Sequence, residues 1–179
     1  MSYFVGHSNF FYHPKQGDIV IGIINRKSDN DWVVDIGYSH TGLLPMLSFD
    51  GATKKTCPKF RQGEMVACYI EVAPEAGEIL LSCIPRTNQE KLGPLVGGSL
   101  LRCKSKDIQK VFDLGLLEKI TQAKIKAVNG MNGRLFIEAQ TAEISERICY
   151  AILTSLENQG NEIMEFRKQL SYIDFPTMK

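Results

Sequence analysis

Five short β-branched runs lie between Asp18 and Cys83, and only one connection between them is long; nothing else in the 179 residues narrows the fold as much. The first run, DIVIGIINR after Gly17, ends at the polar stretch from Ser28 to Asp31. Trp32-Val-Val-Asp-Ile36 follows and is closed by Gly37, and Gly42-Leu43-Leu44 stops at Pro45. Residues 48 to 63, rich in turn formers and cations, form the long connection. The fourth run spans residues 65 to 72, and the turn Pro74-Glu-Ala-Gly77 leads to the fifth, residues 78 to 83. Five strands with the long link between the third and the fourth suggest a small antiparallel barrel of the OB type. Strand count alone fits another five-stranded barrel, such as an SH3-like one, equally well.

After residue 84 the pattern changes. Residues 85–98 hold two Pro and three Gly and read as a linker. Leu100 to Cys103 predicts a strand, and the spacing of Ile108, Val111, Phe112, Leu116, Leu117 and Ile120 predicts helix, broken in two at Gly115. Residues 124–128 and 134–138 alternate like paired strands around a hairpin, Asn129-Gly-Met-Asn-Gly133, whose Gly and Asn suit positive φ. Thr141 caps a helix with Ile144, Ile148, Ile152, Leu153 and Leu156 on one face, ended by Gly160; Ile163, Phe166 and Leu170 predict a last one. Residues 1–16 are aromatic and irregular and read as a lead-in.

Composition excludes more than it selects. With 44% apolar and 23% charged residues the chain can bury a core. A net charge of +1 means that any nucleic-acid surface must be a local patch. The five cysteines are odd in number, widely spaced and free of CxxC, which argues against a disulfide framework or structural zinc and for a reducing compartment. No apolar run approaches the roughly 20 residues of a membrane helix, and the N-terminus lacks the pattern of a secretory signal. No triad, carboxylate pair, phosphate loop or metal-ligand spacing stands out, so neither catalysis, a metal nor a cofactor is expected.

The first half resembles the S1 RNA-binding domain. The likeness rests on Gly17-Asp18-x-Val20-x-Gly22-Ile23, Trp32 to Gly37, Gly42-Leu43-Leu44-Pro45-x-x-Ser48, Phe60-x-x-Gly63-Glu64-x-Val66 and Gly77 to Ser82. Phe49-x-Gly51-Ala52-Thr53-Lys54-Lys55, the segment Gly130 to Ile137 and the S1-then-KH order resemble the cap subunits of the RNA exosome. The resemblance implies a five-stranded OB-fold S1 barrel over 17–84, a linker over 85–98, a divergent KH-like domain (β-α-α-β-β-α) over 99–158, and an extra C-terminal helix and tail over 159–179. It implies a non-catalytic subunit in the nucleus, nucleolus included, and the cytoplasm. Its partners would be single-stranded RNA, other cap subunits and ring subunits of the RNase PH fold, with no membrane. The family also carries a further N-terminal β-rich domain, which sixteen residues cannot supply. The alternatives are the sister S1/KH cap subunit, the RNA-binding tail of a phosphorolytic exonuclease, whose domain order is reversed, and a stand-alone S1 protein of translation.

An S1 barrel holds single strands with stacking aromatics and nearby cations. Trp32 and Tyr38 lie near the positions where such aromatics sit, with His40 close by in sequence, although Trp32 equally suits the core. Lys54, Lys55, Lys59 and Arg61 share one connection with no acid between residues 51 and 63, a strip able to track phosphates. Gly130 and Gly133 have the spacing of a KH grip loop, but strands flank them, so the tetrad is a hairpin and the grip is absent. Asp18 and Asp35 lie on barrel strands and are expected to be structural.

Overall fold

The computed structural model describes residues 3–5, 12–75, 77–87, 92–104, 107, 110–111, 125–157, 164 and 168–169. Its strands are β1 (Tyr3–Val5), β2 (Ile19–Ser28), β3 (Asp31–Asp35), β4 (Gly42–Pro45), β5 (Met65–Val72), β6 (Ile79–Ser82), β7 (Gly93–Leu95), β8 (Ser99–Arg102), β9 (Lys126–Gly130) and β10 (Arg134–Glu138), followed by helix α1 (Ala142–Glu157). They form two compact units. One is Asn9–Val96 with Val128–Arg134; the other is Met1–Ser8, Gly97–Ala127 and Leu135–Lys179.

The first unit is a closed barrel. Its strands run β2-β3-β4-β6-β5, and β5 returns to β2; the β4–β6 seam is parallel and the other pairings are antiparallel. Period-two alternation decides which side chains enter it. Val20 and Ile24, Trp32, Val34 and Ile36, Leu44, Val66, Cys68 and Ile70, and Leu81 all point inward and form one buried cluster. Each large aliphatic buried there contributes about 2 kcal/mol. The stretch read as a linker also adds a strand: β7 pairs with Met65–Ala67 of β5, beyond the reach of the four-residue β6.

The wall has a gap that the Val128–Arg134 segment fills. β2 bonds to β3 only from Ile23 onward, although its pairing with β5 begins at Ile19. The backbone groups of Ile19 and Ile21 therefore face no strand on one side, and buried backbone groups need partners. Met131 N–H donates to Ile19 O at 2.7 Å. The Asn132 side chain accepts from Ile21 N–H at 3.2 Å and donates to Ile21 O at 2.8 Å and Ile36 O at 2.9 Å. Arg134 Nη1 donates to Ile21 O and Asp35 O, and Nη2 pairs with the Asp35 carboxylate at 2.6 Å. One amide and one guanidinium thus stand in for a missing strand.

This corrects the reading of the hairpin. Only Gly133 takes a positive φ, 73°, while Asn132 is needed for its side chain. At Gly130 the constraint is space, since a Cβ there would lie 2.8 Å from Ile21 N.

In the second unit the sheet order is β1-β8-β10-β9. Tyr3–Val5, expected to be irregular, runs parallel to Leu100–Arg102. Leu101, Leu135 and Ile137 from the sheet share a buried cluster with Ile148, Cys149 and Ile152 of α1, the face that the helical spacing predicts. The Thr141 hydroxyl caps that helix by accepting from Ile144 N–H at 3.3 Å. Of the helices expected over 106–120, Asp107, Lys110 and Val111 are described and helical, and of the last helix Met164, Lys168 and Gln169. The remaining parts lie outside the described residues.

Candidate nucleic-acid interface

The long connection between β4 and β5 is pinned by its aromatic residues. Phe49 and Phe60 are buried in the barrel cluster with their rings 5.9 Å apart, and Phe60 meets Trp32 edge to face at 5.5 Å. Cys83 N–H donates to Ser48 O where the connection begins, and Gly63 N–H donates to Ile24 O where it ends. Between these anchors a tight turn is tied by paired hydroxyls, Thr53 Oγ1 and Thr56 Oγ1 at 2.9 Å. The alternation Lys59-Phe60-Arg61 drives the ring inward and leaves the two cations outside.

Lys54, Lys55, Lys59 and Arg61 are all exposed, and none forms an ion pair with a described residue. The Glu64 carboxylate accepts from Arg61 N–H at 3.0 Å and closes the loop's base. Four solvated cations on a connection held at both ends can meet phosphates without ordering the loop first.

Trp32 is only 6% exposed and belongs to the core, its ring covered by Phe60. Its Nε1 is buried without a hydrogen-bond partner among the described residues. The indole therefore fills the barrel end beneath the loop and offers no face to a base.

Tyr38 and His40 fall elsewhere. β3 runs away from the Ser28–Asp31 turn and β4 runs back toward it, with Asp31 opposite Pro45. The cationic loop starts and finishes at the Asp31–Pro45 end, whereas residues 36–41 lie at the opposite end. Strands of four and five residues put roughly 15 Å between the ends at about 3.3 Å per residue. Half-buried Tyr38 packs on the barrel cluster, with exposed His40 at 5.6 Å and exposed His13 edge-on at 5.8 Å. The residues expected to bind together form two separate groups.

Sequence reasoning missed His13, Asn132 and Arg134. The last two stood inside the Gly130–Ile137 motif, but nothing there signals that a backbone gap would receive them. Both aspartates are structural as expected. Asp18 accepts from the Tyr12 hydroxyl at 2.7 Å, and Asp35 holds Arg134. Burial, and then the Asp18 bond and charge, raise the Tyr12 hydroxyl's pKa above its ordinary value.

Nucleophilic chemistry finds little to use among the thiols. Burial pushes Cys68, Cys103 and Cys149 up to about 12, and raises Cys83 as well, so these four stay protonated at neutral pH. No group of His, Cys, Asp and Glu among the described residues is arranged to hold a metal.

Residues 12–93 match the family model for the S1 domain of exosome complex component RRP40. A Dictyostelium discoideum exosome complex component rrp40 is 31% identical over 173 residues, which cover 92% of this chain and 71% of that protein. The human exosome complex component RRP40 is 31% identical over 146 residues, so the chain spans about half, 53%, of that relative's length. An archaeal exosome complex component Rrp4, from Ignisphaera aggregans, is 28% identical across 84% of the chain. A solved structure described as an exosome complex RNA-binding protein superposes with a TM-score of 0.72 over 90% of this chain and 96% of its own; at 19% identity it establishes the fold.

Proposed function

Since the chain belongs to the exosome complex component RRP40 family, we propose that it is a non-catalytic cap subunit that guides single-stranded RNA into an exosome for 3′-to-5′ processing and degradation. One observation carries this reading: Lys54, Lys55, Lys59 and Arg61 project from a connection whose aromatic residues are locked in the barrel. The loop is the principal RNA contact and works by charge, so it tracks phosphates without reading bases. Tyr38 and His40 form a separate stacking element, which a strand reaching from the loop meets after crossing the barrel face. Ring subunits of the RNase PH fold and other cap subunits are the protein partners, and associated nucleases carry out the cleavage. The nucleus, nucleolus included, and the cytoplasm are the compartments.

The test is a salt series. Binding of a labelled single-stranded RNA to the full chain is followed by fluorescence anisotropy, with and without alanine at Lys54, Lys55, Lys59 and Arg61. The native chain binds more weakly than micromolar at physiological salt. The variant loses affinity at least tenfold, and its log–log salt slope shrinks by about 3, the share of four phosphate contacts on a single strand. An unchanged slope would remove the loop from the interface. Recovery of RNase PH-like subunits with the tagged chain supports the cap role, and ribosomal subunits alone would end it.

A further inference from the structure

Large hydrophobic side chains in the open are informative when they gather. Eight are exposed among the described residues, and four of them, Leu47, Val72, Leu80 and Ile84, collect on one outer face of the barrel. The register explains how. Leu43 of β4 stands beside Leu80 of β6 across the parallel seam, and Leu80 stands beside Val72 of β5. A register shift between Ile70 and Val72 turns Val72 outward, next to Leu80. At the other end of the seam Cys83 N–H is bonded to Ser48 O, which brings the chain neighbours Ile84 and Leu47 close. The result is an aliphatic strip along the β4–β6 seam with Val72 and Leu80 at one end, Leu47 and Ile84 at the other and the buried Ser82 between them, and with exposures of 36% at Leu80 and 51% at Leu47.

At the Val72–Leu80 end of this strip the charges have the opposite sign to the loop's, while at the Ile84 end Arg86 packs over the Tyr69 ring. Glu71, Glu75 and Glu78 are exposed around Val72 and Leu80, and none forms an ion pair with a described residue. Three carboxylates repel a phosphate backbone, and aliphatic side chains give bases no aromatic surface on which to stack.

We propose that the β4–β6 seam is a docking surface for an extended protein segment that lays aliphatic side chains along Leu43, Leu80 and Ile84 and passes Lys or Arg residues by Glu71, Glu75 and Glu78. The aliphatic contact supplies the affinity and the carboxylates set the direction in which the segment lies. The surface goes beyond the RNA reading and does not depend on it, because the loop and the seam share no residue.

The experiment places a photoreactive benzoylphenylalanine at Val72 or Leu80 of the tagged full chain, in the assembly that it forms in cells, with Lys27 as an exposed control. After irradiation the adducts are mapped by mass spectrometry. The expected adduct is a peptide of another protein with aliphatic residues next to at least two Lys or Arg. Its yield falls about tenfold when Glu75→Lys and Glu78→Lys are added, while RNA affinity does not fall. An adduct to RNA, an adduct to a second copy of this chain, a yield no greater than at Lys27, or a yield indifferent to the charge reversals would each overturn the proposal.

Discussion

Two cationic segments of the barrel unit use their charge differently. In the connection between β4 and β5, four cations are exposed and the phenylalanines between them do the anchoring. In the segment Val128–Arg134 the cation is itself the anchor: the Arg134 side chain is 3% exposed and spends its donors on Ile21 O, Asp35 O and the Asp35 carboxylate. What separates the two is the backbone beside them. Where β2 and β3 part, bare carbonyls draw in a guanidinium; where the wall is complete, apolar rings seal the end and charge stays in water.

The comparison breaks most easily at Asn132. Replacement by Ala strands Ile21 N–H and Ile36 O in the barrel wall and costs about 4 kcal/mol at 1–3 kcal/mol for each lost partner. Denaturant unfolding measures it, and a loss below 1 kcal/mol would show that the gap has another filler. Arg134→Met follows at about 3 kcal/mol, the lower end for a broken ion pair because Asp35 is a third exposed. The fourfold loop variant should be the mirror image, weakening RNA at least tenfold while stability stays within about 0.5 kcal/mol. If it unfolds the chain, the loop cations are structural after all.

Two smaller effects sharpen the contrast. Joint replacement of Tyr38 and His40 by Ala lowers RNA affinity about threefold, less than a full stacking contact of 1–3 kcal/mol, because Glu75 and Glu78 lie at the same barrel end. A loss equal to that of the loop variant would make the two groups one site. Cys57, half-buried on the cationic loop, is the only cysteine outside the core, so a thiol reagent modifies one cysteine per native chain and five after unfolding. The buried thiols also set an alkaline limit. They ionise near pH 8.5 when unfolded and at about 12 in the fold, so their stabilisation is complete below about pH 8.5 and lost as pH rises toward 12. Unfolding free energy that stays flat across that range would contradict the burial of these groups.

Alternation along the chain was enough for much of the barrel. Val20, Val34, Leu44, Val66 and Leu81 occupy the inward positions that a period of two assigns, and the loop cations are outside because Phe60 between two of them has to be inside. Trp32 was legible as either core or contact, since an indole suits both, and packing against Phe60 settled it. Tyr3–Val5 and Gly93–Leu95 were not legible as strands, because three residues carry no period and each depends on a partner distant in sequence.

Periodicity along one chain is a local property, and it was enough for the five barrel strands and the α1 face. Which ends of the barrel those side chains reach, and which backbone groups are left for Asn132 and Arg134, follow from pairings between segments up to 113 residues apart. Hydrogen bonds of that span leave no trace in spacing, because the partner of Ile21 is chosen by where β2 and β3 separate and not by what precedes or follows it.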